Sequence, residues 1–159
     1  MAFVLGPNDG RTLALGDGLR LCFKADDAET DGRYSVSVVD VGAHDAGTTP
    51  HVHAEHDELF FVVSGTPRFE LSGEEHAAEP GTFVLVPRGT SHRWWNPSDT
   101  PSRVLNIHAP SFGFERFIRE LADLSDRGAA TPAAIAELGA RHDVRFDVGV
   151  LEQRYDAPS

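Results

Sequence analysis

HVHAEHDELFFVVSG, residues 51–65, and GTFVLVPRGTSHRWWN, residues 81–96, decide how this chain folds. Successive side chains on a strand point to opposite faces, so His51 and His53 share one face, and Glu58, Phe60 and Val62 share another. The polar Ala54-Glu55-His56-Asp57 suits a turn, expected to bring two short strands back alongside each other and to aim Glu58 at the histidines. Gly65-Thr66-Pro67 ends the second strand, and Arg68-Phe69-Glu70-Leu71 reads as its hairpin partner, closed by Ser72-Gly73. In the second block, Thr82 to Val86 is an apolar run of β propensity bounded by Pro80-Gly81 and Pro87-Arg88-Gly89. His92 follows at the start of another strand. Three imidazoles and a carboxylate (His51, His53, His92 and Glu58) make a ligand set for one divalent transition metal, with room for exogenous ligands.

Both blocks resemble the paired motifs of the cupin superfamily, small β-barrels that usually carry one metal. The second block matches at Gly81, Pro87, Gly89, His92 and Asn96, and the first matches from His51 through Gly65. The first departs at its start, where the family pattern has glycine and this chain has Asp45, with Gly42 and Gly47 nearby. The departure bears on the turn and leaves the ligands in place. The resemblance is strong over roughly residues 30 to 110 and loose on the flanks. It implies a double-sheet jelly-roll barrel.

Working outward, Arg11 to Leu15, Leu19 to Lys24 and Arg33 to Val41 read as strands, the first two linked by Gly16-Asp17-Gly18. Asp26 to Gly32 reads as a polar loop, and Arg103 to His108 as a further strand. Many short strands between turn signals give an all-β class, an antiparallel sandwich or barrel. The last third changes character. Phe112 to Leu124 places apolar residues at 114, 117, 118, 121 and 124, one face of a helix. Thr131-Pro132 opens a second helix through Leu138, with a hydroxyl N-cap and proline at the first helical position. Val144-Arg145-Phe146 and Val148 to Leu151 read as a short strand or an extended tail. The organisation expected is a cupin β-barrel over residues 1–110 and a C-terminal extension over 111–159 whose two helices pack on the barrel, as cover or as a lid.

At 159 residues, 40% hydrophobic and 25% charged, the chain has the length and composition of one globular domain. A formal net charge of −11 excludes a basic stripe for nucleic acid and disfavours anionic membrane surfaces. The lone Cys22 excludes an intramolecular disulfide framework. No apolar run approaches membrane-spanning length, and no charged leader precedes an apolar stretch, so a cytoplasmic protein is expected.

The donor set tolerates iron, nickel, manganese, copper or zinc, and does not choose among them. Trp94 shares the face of His92, and Phe60 and Val62 share that of Glu58, so an apolar pocket for a small molecule is expected around the metal. His108, on the parity of Asn106 and Val104, is expected to turn inward beside it. His44, His56, His76 and His142 fall in polar segments and read as surface residues. Tandem histidines, a glutamate able to ligate and to accept a proton, and a trailing helical segment resemble the quercetin-dioxygenase-like branch. That resemblance implies a metal-dependent dioxygenase of a small enolisable aromatic, flavonol- or polyketide-like, with Glu58 as ligand and base. A non-oxidative cyclase or isomerase shares the ligand set, and a ligand-binding cupin without turnover is the third reading. The family also implies a homodimer, with the edge of the strand-rich Arg11 to Lys24 segment needing cover.

Overall fold

The computed structural model describes residues 2–155. Its strands and helices run in the order β1 (Arg11–Leu15), β2 (Leu19–Ala25), α1 (Asp27–Thr30), β3 (Ser35–Val41), β4 (His51–Val52), β5 (Asp57–Ser64), β6 (Arg68–Leu71), β7 (Glu74–Ala77), β8 (Phe83–Val86), β9 (His92–Trp95), β10 (Ser102–Ala109), α2 (Phe114–Asp126), α3 (Pro132–Arg141), β11 (Arg145–Phe146) and α4 (Val148–Tyr155). Two antiparallel sheets result: six strands in the order β1-β2-β3-β10-β5-β8, and five in the order β11-β4-β9-β6-β7. This is the jelly-roll fold. The period-2 pattern explains the assembly: β3 and β10 alternate buried and half-buried residues from end to end.

Three connections differ from the sequence reading. The Ala54–Asp57 turn does not fold β4 back onto β5, because the two strands lie in different sheets. It is a corner that crosses the sandwich. β6 is not the hairpin partner of β5, whose edges are taken by β10 and β8; it pairs with β7 and β9 instead. Gly65 starts that crossover at a φ of 80°, where an added Cβ would meet Ser102 Cα at 2.6 Å, so only glycine fits. The Asp26–Gly32 loop contains one helical turn, closed by Glu29, whose carboxylate accepts the Asp26 N–H at 2.9 Å.

The C-terminal extension also carries more structure than its pattern suggested. Thr131 caps α3 by accepting the Ala134 N–H at 3.2 Å, as its sequence predicts. Beyond it, β11 joins the smaller sheet through β4, and a third helix, α4, follows where an extended tail was one of the alternatives. Residues 156–159 of that extension lie outside the described residues. Phe117, Ile118, Leu138 and Val144 share one core with Phe23, Val39, Phe60, Val62 and Val104 of the sheets. Among the described residues, no helix is long and apolar enough to cross a membrane.

Phe60 is central to that core, with ring centroids 5.0 Å from Phe69 and 5.6 Å from Trp94. Phe60→Ala is expected to cost about 3–5 kcal/mol, the transfer loss plus the cavity left behind. Urea unfolding of the metal-free protein measures it, and a loss under about 1 kcal/mol would mean that this site collapses freely.

Candidate metal centre

β4 lies beside β9 with His51 opposite His92, and β5 faces them from the other sheet with Glu58 pointing across. The 54–57 corner makes this convergence possible, since it carries the chain between sheets in four residues. Glu58 Oε2 lies 3.0 Å from His53 Nε2 and 2.7 Å from His92 Nε2. Donor atoms of His51, His53, Glu58 and His92 all fall within 4.8 Å of one another, and all four residues are buried.

The backbone fixes which nitrogen each ring offers. His51 Nδ1 lies 2.8 Å from Thr49 O, His53 Nδ1 2.8 Å from Asp143 O, and His92 Nδ1 3.0 Å from Thr90 O. A carbonyl oxygen only accepts, so each Nδ1 carries a proton and donates it, which leaves Nε2 as the nitrogen turned to the shared point and the one that would bind a metal there. Burial pushes His51 well below the usual imidazole range, so it stays neutral, as a ligand must. Burial opposes charge on Glu58, yet the imidazoles around it outweigh that and hold its carboxyl well below the usual range. Three imidazoles and one carboxylate, gathered in a buried cluster, fit a divalent transition metal.

A second layer holds Glu58. Its other oxygen, Oε1, accepts from Asn106 Nδ2 at 2.8 Å and lies 3.3 Å from His108 Nε2. His108 Nε2 is also 2.9 Å from Asn106 Oδ1, its Nδ1 is 3.0 Å from His56 Nε2, and His56 Nδ1 is 2.9 Å from Asp143 Oδ2. Burial pushes His108 well below its ordinary value and His56 down to about 4. Two neutral rings bring two N–H protons to three contacts, so the row from Glu58 to Asp143 has room for one more proton.

His51, His53 and Glu58, with Asn106 and His108, line part of a cavity of about 370 Å³. Leu21, Val39 and Trp94 wall it from the sheets, and Phe114, Ile118 and Leu121 from α2. Trp94 and His108 therefore stand where the sequence places them. Phe60 and Val62 do not line the cavity; they lie in the core beneath it, because the β5 face passes under the site after Glu58. His44 and His76 are exposed, whereas His56 and His142 are buried, contrary to their polar surroundings. The loop after α3 folds over both: His142 donates to Phe112 O at 3.0 Å, and Asp143 meets His56. Asn106, His56 and Asp143 are the contributors missed in the sequence. Only Asn106 left a signal, through its parity with His108.

A cupin-domain family model matches residues 36–108. The chain is 36% identical over 70 residues to an uncharacterized protein of Aquifex aeolicus, covering 44% of this chain and 57% of that one. It is 31% identical over 121 residues to a quercetin 2,3-dioxygenase of Bacillus subtilis, covering 76% of this chain and 35% of the relative. Thus the chain spans little more than half of the first relative and about a third of the second. The solved structure of the polyketide cyclase RemF from Streptomyces resistomycificus has the same fold, with a TM-score of 0.60 at 19% identity over 69% of this chain and 80% of that one. Facing sheets, the paired motifs and these matches agree: the chain belongs to the cupin superfamily.

Proposed function

We propose that this cupin is a metal-dependent dioxygenase of a small, enolisable aromatic compound of flavonol- or polyketide-like character. One observation carries the reading. Glu58 turns one oxygen to the histidine nitrogens and the other to Asn106 and His108, beside a cavity walled largely by apolar side chains. His51, His53, Glu58 and His92 would hold the metal, which supplies a Lewis acid and open coordination positions to substrate and dioxygen. Trp94 and Phe114 flank an aromatic body and keep water away. Glu58 takes the acidic hydroxyl proton of the substrate, and Asn106 holds the carboxylate oriented while it does so. The likeness to a quercetin dioxygenase supports the same class of substrate.

Oxygen uptake by the metal-loaded protein with quercetin as probe tests the reading. Uptake matched mole for mole by loss of the flavonol absorbance is the expected result. Rearrangement of an enolisable substrate with no oxygen consumed would replace it with a cyclase or isomerase.

We also propose that the protein is a homodimer, paired through the outer face of the larger sheet. Val38, Leu105, Phe61 and Phe83 lie in one cross-strand row, and Val36, Ile107, Leu59 and Leu85 in the next, all on the side away from the core. Phe61, Val63, Phe83 and Leu85 are 43–60% exposed. This face ends at the edge strand β8, and contiguous exposed apolar side chains of this kind are what protein interfaces cover. Arg103–Asp40 and Arg88–Asp57 ion pairs border it, so a second copy can meet it with both charges. At micromolar concentration light scattering should give twice 17.3 kDa, and Phe83→Glu should return the mass to 17.3 kDa. A monomeric wild type would overturn the assignment.

A further inference from the structure

The metal-facing residues all precede residue 93, yet the segment that holds two of them in place lies fifty residues later. We propose that residues 142–146 are a clasp, centred on Asp143 as a positioning residue, that ties docking of the C-terminal extension to metal binding. The inference rests on the metal centre described above and adds a regulator of it.

Asp143 acts at both ends of its side chain and backbone. Its carbonyl accepts from His53 Nδ1 at 2.8 Å, which sets the tautomer that presents Nε2. Its carboxylate accepts the N–H of Ala54 at 3.0 Å, of Glu55 at 2.8 Å and of His56 at 3.2 Å, together with His56 Nδ1 at 2.9 Å. Those three amides are the corner that carries the chain from His53 to Glu58, so one carboxylate fixes the geometry between two ligands. Asp143 sits at a φ of 56°, a left-handed conformation that Asp and Asn tolerate better than other side chains. Three residues on, Phe146 pairs with His51 across β11 and β4, and its ring lies 5.7 Å from the imidazole. Clasp residues thus touch His51, His53 and the corner before Glu58.

The same segment belongs to the cavity wall. Val144 and Phe146 line it, with Ile135 of α3 before them and Leu151 of α4 after them. Lifting the extension off the barrel would remove the cavity wall and, in the same movement, the acceptor of His53 Nδ1 and the anchor of the corner. Metal retention and closure over the cavity are therefore one linked equilibrium, and linkage is reciprocal: a metal in the site favours the docked extension by as much as docking favours the metal.

Co(II) serves as the probe, added to metal-free protein and followed by its visible absorption. Asp143→Asn keeps the volume and the left-handed backbone but supplies one acceptor oxygen where the carboxylate supplies two. Its Co(II) affinity should fall about 10–100-fold, the usual loss when an outer partner of a ligand goes, with a changed spectrum. Asp147→Ala is the control, since Asp147 sits in the same extension, accepts the Val150 N–H at 3.2 Å and has no contact with the site. It should bind Co(II) as wild type does. Hydrogen exchange on wild type needs no variant: Co(II) should slow the amides of 54–56 and of 144–146 together. Asp143→Asn affinity within threefold of wild type, or exchange at 144–146 indifferent to Co(II), overturns the clasp alone. Failure of wild type to bind Co(II) overturns the metal centre and the clasp with it.

Discussion

Glu58→Gln, reconstituted with excess metal, is expected to keep a filled site and to lose about 10²–10⁴ in turnover per bound metal, the usual cost of a missing general base. The replacement is nearly isosteric, and the surrounding donors decide its orientation. Asn106 Nδ2 donates to Oε1 at 2.8 Å, so the glutamine amide places its oxygen there and its NH₂ toward His53 and His92. That orientation weakens metal binding, and excess metal is needed to compensate. The opposite orientation would set two NH₂ groups against each other. Either way, a neutral amide accepts no proton at any accessible pH. Turnover must be expressed per bound metal, not per protein, to separate a lost base from a lost ligand. A ratio within a few-fold of wild type would leave Glu58 as a ligand only, and the base would have to be sought in His108 or in a metal-bound hydroxide.

Much of this site could be read in the sequence because it is local in the chain. His51, His53 and Glu58 fall within a stretch of eight residues, and the spacing Gly81…Pro87…Gly89…His92 marks a strand and its turn, so period-2 parity puts each side chain on its face. Parity says which face a residue takes but not which strand lies beside it. For that reason the 54–57 turn read as a hairpin, though it crosses between sheets, and Arg68–Leu71 was paired with the wrong neighbour. β7, with Glu74, Glu75, His76 and Ala77 all exposed, has no alternation to detect. Phe60 and Val62 illustrate a further limit: sharing the face of Glu58 does not mean sharing its cavity, because a strand that enters a site also leaves it.

The missing part of the site is long-range. Asp143 lies 87–90 residues from the groups it holds, in a loop whose composition is that of any polar surface turn. His56 and His142 looked solvated for the same reason, since burial by a distant segment leaves no mark on the local pattern. Local periodicity thus points to the candidate donors, while the outer partners that orient them come from topology. The distinction separates two kinds of experiment, those on the donors themselves and those on what holds them.

His51→Ala and His92→Ala test the donors, and each is expected to take the metal content of the purified protein from about one per chain to a small fraction of that. Removing one of four donors leaves three, and His51 and His92 reach the shared point from the neighbouring strands β4 and β9. Stability should follow. A metal at a hundred times its dissociation constant adds about 2.7 kcal/mol to folding, so metal addition should raise the wild-type unfolding midpoint and leave both variants nearly unmoved. Comparing metal-free wild type with metal-free variants removes a confusion, since either truncation also leaves a cavity and frees a backbone acceptor, Thr49 O for His51 and Thr90 O for His92. The two variants should then differ. His92 is bonded to Glu58 at 2.7 Å, so its loss strips the carboxylate of its shortest contact, whereas His51 makes no hydrogen bond to Glu58 and its loss removes a donor without disturbing the anion. Metal-free His92→Ala should therefore be the less stable of the pair, because a buried carboxylate short of a partner is costly. Elemental analysis and denaturant unfolding measure both quantities, and wild-type metal content in both variants would remove these histidines from the metal site.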